Sequence, residues 1–159
     1  MKELYSGEVG LFQNGLLAAI YAALTMFLAP LSYGPIQVRI SECLTLLAFY
    51  DKRWVPGLTV GCLLSNIGSP FGITDMVIGT LATFLGVFPM HWCPNVWLAS
   101  LLPVVSNGLF IGGELYYLAA LPPDLSVGAA MAYIGLGELI SVTVLGPVVM
   151  RVLRKRKII

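Results

Sequence analysis

Long apolar stretches, broken only by glycines, prolines and isolated charges, leave this chain few ways to fold. From Leu11 to Met150 the only charges are Arg39, Glu42, Asp51, Lys52, Arg53, Asp75, Glu114, Asp124 and Glu138. Of the 159 residues 58% are hydrophobic and 11% charged, against about 25% charged in an ordinary soluble domain. A soluble fold of this length has too little interior to hide that much apolar surface, and a mean hydropathy of +0.88 points the same way. Composition places the chain in a bilayer and excludes disordered, nucleic-acid-binding and disulfide-scaffold classes.

A helical span takes about 20 apolar residues to cross a core about 30 Å thick, so a chain of this length holds about six. The punctuation predicts them at Gly10–Pro30, Gln37–Tyr50, Trp54–Ile67, from a Thr74 or Asp75 N-cap to Met90, at Val96–Leu121 and at Leu125–Leu153. The second covers roughly 21 Å, less than the bilayer, so the segment before it is expected to dip into the membrane or cover something. The start, Met1-Lys2-Glu3, is hardly basic and no small-x-small site follows in place. The first stretch is therefore read as a permanent span rather than a secretory signal. The expected fold is all-α: one polytopic membrane domain over 1–159, a six-transmembrane-helix bundle. Cys43, Cys62 and Cys93 are odd in number and lack ligand spacing, so they are expected as buried free thiols, with no metal site.

With the N-terminus inside, Lys2, Lys52, Arg53 and the tail residues Arg151, Arg154, Lys155, Arg156 and Lys157 are cytoplasmic. That is eight of nine basic residues, with Arg39 alone outside. The bias predicts a plasma-membrane protein with both termini cytoplasmic. Glu42, Asp75, Glu114 and Asp124 then fall in the outer half or outer loops and Glu138 near mid-membrane, which marks an outward-facing site.

A charge near the membrane centre costs about 2.5–3.5 kcal/mol on insertion scales and needs a partner, a cavity or a function. Glu138 either ties two helices together or contacts a ligand. Asn107 and Glu114, seven residues apart, share a helix face and can converge with Glu138 on a polar cavity. Tyr117, beside Tyr116, either stacks on a planar ligand or joins an interfacial aromatic belt, as Trp54, Trp92 and Trp97 are expected to do. Arg39 and Glu42 are spaced to pair along a helix. With Gln37 and Ser41 they crowd polar groups into the mouth of a short span, and Asn66 faces the same half. Asp75 is expected as a cap rather than a ligand. Ala18/Ala22 and Ala19/Ala23, Gly57/Gly61 and Gly108/Gly112 are small-residue pairs where helices pack closely or, on the first helix, where another protein docks.

The chain lacks a Gly-x-x-x-x-Gly-Lys-Ser/Thr phosphate loop, and its single histidine, His91, is predicted at the cytoplasmic border far from the acids. No catalytic set, metal or cofactor is expected. An intramembrane enzyme using Glu114 and Glu138, and a proton pathway through the buried acids, remain as alternatives to a small binding subunit.

Six stretches make the chain familiar: Tyr33-Gly34-Pro35-Ile36-Gln37-Val38-Arg39-Ile40-Ser41-Glu42, Val55-Pro56-Gly57-Leu58 through Gly61-Cys62-Leu63-Leu64-Ser65-Asn66, Asp75-Met76-Val77-Ile78-Gly79-Thr80-Leu81-Ala82-Thr83, Ser106-Asn107-Gly108, Glu114-Leu115-Tyr116-Tyr117 and Gly135-Leu136-Gly137-Glu138-Leu139-Ile140. In these the chain resembles the QueT group of substrate-binding S components of energy-coupling factor (ECF) transporters. The resemblance covers nearly the whole chain. It implies a six-helix protein that captures queuosine precursors, namely 7-cyano- and 7-aminomethyl-7-deazaguanine or queuine. It also implies a transmembrane coupling protein and two cytoplasmic ATPases that use the ATP, with the Ala18/Ala22 and Ala19/Ala23 ridge as docking motif. A carboxylate, Glu138 or Glu114, suits the N1–H and 2-amino edge of such a ligand. Asn107, Gln37 and Arg39 suit its oxo group, and Glu42 or Glu114 an aminomethyl cation. A sister S component for another vitamin, such as riboflavin, thiamine or folate, is the alternative within this class.

Overall fold

The computed structural model describes residues 9–34, 37–120 and 122–156. Lys2, Lys157, the Pro35-Ile36 turn and Leu121, all used above, lie outside the described residues. Among the described residues every regular element is helical.

Helix α1 (Leu11–Phe27) starts at Gly10, whose N–H donates to the side-chain oxygen of Gln13 at 3.0 Å. A single turn, α2 (Ala29–Ser32), follows with Pro30 in its first turn, where the missing N–H is no loss. Helix α3 (Ile40–Tyr50) begins as a 3₁₀ helix over Ile40–Leu46 and relaxes to α geometry at Leu47. Helix α4 (Val55–Asn66) carries Pro56 at its start. Helix α5 (Ile73–Trp92) begins at Gly72, where φ is +65°, a conformation that a side chain would resist. Asn95 caps α6 (Val96–Tyr117) by accepting from the Leu98 N–H at 2.9 Å. Ser126 caps α7 (Val127–Lys155), whose middle, Leu139–Leu145, widens into a π helix.

Apart from the one-turn α2, the described residues form six helical rods. Three of them, α5, α6 and α7, are long and apolar enough to cross a membrane, while α1 and α3 are shorter apolar helices. The expected boundaries hold to within a few residues. The fourth rod's cap is a correction: Gly72 starts it, not Thr74 or Asp75, because the positive φ there turns the chain and leaves Asp75 in the first turn facing inward.

Backbone contact at glycine and alanine holds the rods together, as expected where lipid gives little reward for burying apolar side chains. A Cβ on Gly61 would lie 3.1 Å from the Ala18 Cα, and one on Gly57 2.8 Å from the Asn14 carbonyl oxygen, so α1 and α4 touch along this seam. A Cβ on Gly112 would lie 2.5 Å from the Met131 Cα across the α6–α7 contact. The first-helix ridge therefore divides. Ala18 and Ala22 are buried inside the bundle, whereas Ala19 and Ala23 face outward.

An apolar core of Leu46, Leu58, Val87, Met90, Val142 and Met150 fills the end of the bundle where Lys52, Arg53 and the basic tail lie. Trp54 belongs to this core and not to an interfacial belt, since it turns inward at the start of α4. Trp92 and Trp97 are exposed. Six of the seven described basic residues sit at this end, and Arg39 is at the other. The outward faces of the rods carry Phe12, Phe27, Val77, Val105 and Val144, all apolar and exposed. Cys43 and Cys62 are buried and Cys93 half-buried, with no disulfide among the described residues.

Candidate functional site

Opposite the apolar core the bundle interior is polar. Gln37, Arg39, Glu42, Asn66, Asp75, Asn107, Glu114 and Glu138 are each at most 4% exposed. They reach this interior from the segment before α3 and from α3 through α7.

The segment at 37–39 dips into the bundle, as the shortness of α3 requires. Gln37 has φ +47°, a left-handed conformation that costs a non-glycine residue about 1–3 kcal/mol. The turn aims both Gln37 and Arg39 inward. Arg39 is the residue before α3, with extended backbone, so it does not share a helical face with Glu42. The expected Arg39–Glu42 helical pair is thereby corrected. Arg39 Nη2 lies 3.6 Å from Asp75 Oδ2, Arg39 Nε donates to the Ser32 carbonyl at 3.3 Å, and the guanidinium sits 5.5 Å over the Tyr33 ring. Tyr33 in turn donates to the Ser65 carbonyl at 2.5 Å.

Glu42 accepts a hydrogen bond from the Tyr21 hydroxyl of α1, and the Thr83 side chain of α5 is a second partner. Next to them the Thr25 and Ser41 hydroxyls are 2.6 Å apart. Asn66 donates to the Asp75 carbonyl at 3.0 Å, tying the end of α4 to the start of α5. A Cβ on Gly79 would collide with this amide at 2.5 Å, so the glycine makes room for it. Asn107 hydrogen-bonds Glu138 across the α6–α7 contact, and Glu42 repels Glu138 electrostatically while Arg39 attracts it. The two helices that supply Glu42 and Glu138 both leave α geometry where they meet. The narrow 3₁₀ start of α3 packs on the π segment of α7, and Leu46 reaches to 2.7 Å from where a Gly146 Cβ would stand. Wide turns of this kind recur at functional sites.

Many of these groups have a polar atom without a hydrogen-bond partner in the protein. Gln37 Nε2 and Arg39 Nη2 are such donors, and Glu42 Oε2, Asn66 Oδ1, Asp75 Oδ1, Glu138 Oε2 and both Glu114 oxygens are such acceptors. A buried polar atom left unpaired costs about 1–3 kcal/mol, more when charged. The set presents acceptors for several N–H groups and donors for a carbonyl.

Glu114 also lines a cavity of about 340 Å³ between α5, α6 and α7, together with Thr74, Ile78, Phe110, Tyr117 and Met131. Asp75 and Arg39 are near enough to act on Glu114 electrostatically. Tyr117 stands at the cavity's rim, 86% exposed and edge-on to Tyr116, and of the other expected site residues only Glu114 lines the same cavity. Sequence reasoning had passed over Asp75 as a cap and had not singled out Tyr21, Thr25 and Thr83. The available signal was the i, i+4 spacing of Tyr21 and Thr25, which puts two polar groups on one face in the apolar part of α1, beyond Gln13 and Asn14.

A sequence model described as QueT transporter matches residues 11–155. The queuosine precursor transporter QueT of Lactococcus lactis subsp. cremoris (strain MG1363) is 43% identical over 72 residues, which is 44% of this chain and 42% of that protein. The matched stretch thus spans less than half the length of that curated relative. No solved structure matches the chain.

Proposed function

The chain belongs to the QueT transporter family, and on that premise we propose that this membrane protein is the substrate-binding S component of an ECF-type importer that captures queuosine precursors. The supporting observation is the interior set of unpaired donors and acceptors at Gln37, Arg39, Glu42, Asn66, Asp75, Glu114 and Glu138. A 7-deazaguanine offers N1–H and a 2-amino group to a carboxylate and an oxo group to Gln37 or Arg39, pairing groups that the protein leaves open. Glu138, held from one side by Asn107, is assigned to the N1–H and 2-amino edge.

In this reading six rods span the membrane, and the end rich in Lys and Arg is cytoplasmic, in keeping with the positive-inside bias. The polar interior then faces outward. The coupling protein docks on the outward ridge of Ala19 and Ala23, because Ala22 is buried in the bundle and Ala18 lies against Gly61 of α4. Two partner ATPases hydrolyse the ATP, and the chain itself transports rather than catalyses.

Calorimetric titration of the purified protein with 7-cyano- and 7-aminomethyl-7-deazaguanine and queuine tests the reading, with guanine, riboflavin and thiamine as controls. Saturable binding of a deazaguanine and none of riboflavin or thiamine is expected. Binding of a control vitamin alone moves the protein to another S-component substrate. ATP-dependent uptake only when coupling protein and ATPases are co-reconstituted tests the partners.

A further inference from the structure

The interior holds four carboxyl groups, on Glu42, Asp75, Glu114 and Glu138, and one guanidinium, on Arg39. Three of the acids have a partner within the protein. Tyr21 donates to Glu42, Arg39 faces Asp75, and Asn107 bonds Glu138. Glu114 is the exception: both its oxygens lack a hydrogen-bond donor and, unlike Asp75, it has no ion-pair partner among the described residues, although the residue is only 4% exposed. It is also the acid that lines the cavity between α5, α6 and α7.

A lone carboxylate away from water is costly unless a cation or a proton neutralises it. Arg39 is already held by Ser32, Tyr33 and Asp75, and the other described basic residues lie at the far end of the bundle. No cation of the described residues is left to pair with Glu114, so an ammonium carried by the ligand is the partner this site suits. The cavity has room for more than an ammonium group, because it runs from Glu114 past Ile78 and Met131 to the exposed rings of Phe110 and Tyr117.

We propose that this cavity is a subsite for a protonated amine on the ligand, bound by Glu114, with the substituent of that amine lying toward Tyr117. The proposal rests on the deazaguanine reading above and deepens it. The protein selects ligands whose 7-substituent is a primary or secondary ammonium and discriminates against the neutral cyano form, which has no proton to give Glu114. A charge-assisted hydrogen bond lost from a dry site corresponds to about tenfold or more in affinity.

The test is titration of the full chain in lipid nanodiscs at pH 7 with 7-aminomethyl-7-deazaguanine, queuine, whose 7-substituent is a secondary amine bearing a ring, and 7-cyano-7-deazaguanine. Both amines are expected to bind about tenfold or more tightly than the cyano form. Glu114→Gln is expected to erase that preference by weakening the amines while the cyano form changes less than about twofold. Tyr117→Ala, at an exposed rim position that the fold does not need, is expected to weaken queuine more than the primary amine. Equal or tighter binding of the cyano form, or a preference that survives Glu114→Gln, overturns the subsite and leaves the transporter reading in place. Queuine binding that Tyr117→Ala leaves unchanged overturns the placement of the substituent. Absence of binding by all three, from protein that still melts cooperatively, removes both readings together.

Discussion

Toward the basic end of the bundle Leu46, Leu58, Val87, Met90, Val142 and Met150 interlock, and their neighbours are apolar. Toward the other end the same helices surround Arg39, Glu42, Asp75 and Glu138, and the apolar cluster shrinks to Ala82, Ile111, Leu115 and Ile134. Close packing fills the first region, whereas most of the unpaired buried polar atoms lie in the second. The contrast separates a part of the molecule that supplies stability from one that gives some of it up to remain ready for a ligand. It also turns a soluble fold inside out, with polar groups within and Phe and Val outside.

Breaking the polar region from within gives the largest expected effect. Asp75→Ala leaves the Arg39 guanidinium buried without its counter-ion, and the expected loss is about 3–5 kcal/mol, read as a lower melting temperature. Leu46→Ala, in the apolar region, is expected to cost about 2–5 kcal/mol while the surviving folded protein keeps its ligand affinity. Impaired affinity in that variant would show that the two regions are not separable. Gly112→Ala forces α6 away from Met131 at a cost of about 1–3 kcal/mol. Because that seam sets the spacing of Asn107 and Glu138, melting and binding should both change.

Glu138→Gln sharpens the comparison in the opposite direction. It is expected to weaken deazaguanine binding by more than about 1.4 kcal/mol, or tenfold, with little change in the melting curve. Unchanged affinity in folded protein would remove Glu138 from the site. The smallest effect belongs to the basic end's surface. Burial pushes the Asp51 carboxyl up, but the Arg53 hydrogen bonds and charge more than offset this and hold it below the usual carboxylate range. Its contribution is therefore present above the ordinary aspartate pKa and disappears as pH falls through the depressed folded value. With Arg53 partly exposed, Asp51→Asn should cost less than about 1 kcal/mol, and the difference from wild type should vanish in acid melts.

Much of this architecture was legible in the order of residues. Apolar runs and their glycine and proline breaks mark the rods because hydropathy and backbone freedom are local properties. Rare acids in apolar helices mark the interior because burying them without purpose is expensive. Gln37, Arg39, Glu42, Asn66, Asn107, Glu114 and Glu138 were identified in this way, and all are buried. Tyr117 was not distinguishable from a rim residue, since an aromatic ring suits both a ligand and an interface. Partnership was harder to read. Arg39 and Glu42 are three apart along the chain, yet the turn at Gln37 rotates Arg39 toward Asp75, 36 positions later.

The amino-acid sequence by itself determined that the chain is helical, that it is built for a membrane, and which polar groups it carries into that environment. Solvent exclusion and backbone sterics act on each segment separately. The tertiary structure decided which groups meet. Gly72 turned Asp75 inward, α4 packed against Ala18, and the meeting of a 3₁₀ and a π segment brought Glu42 into range of Glu138. Those outcomes depend on how whole helices cross, and a crossing is fixed by the fit of two surfaces that lie far apart in the chain.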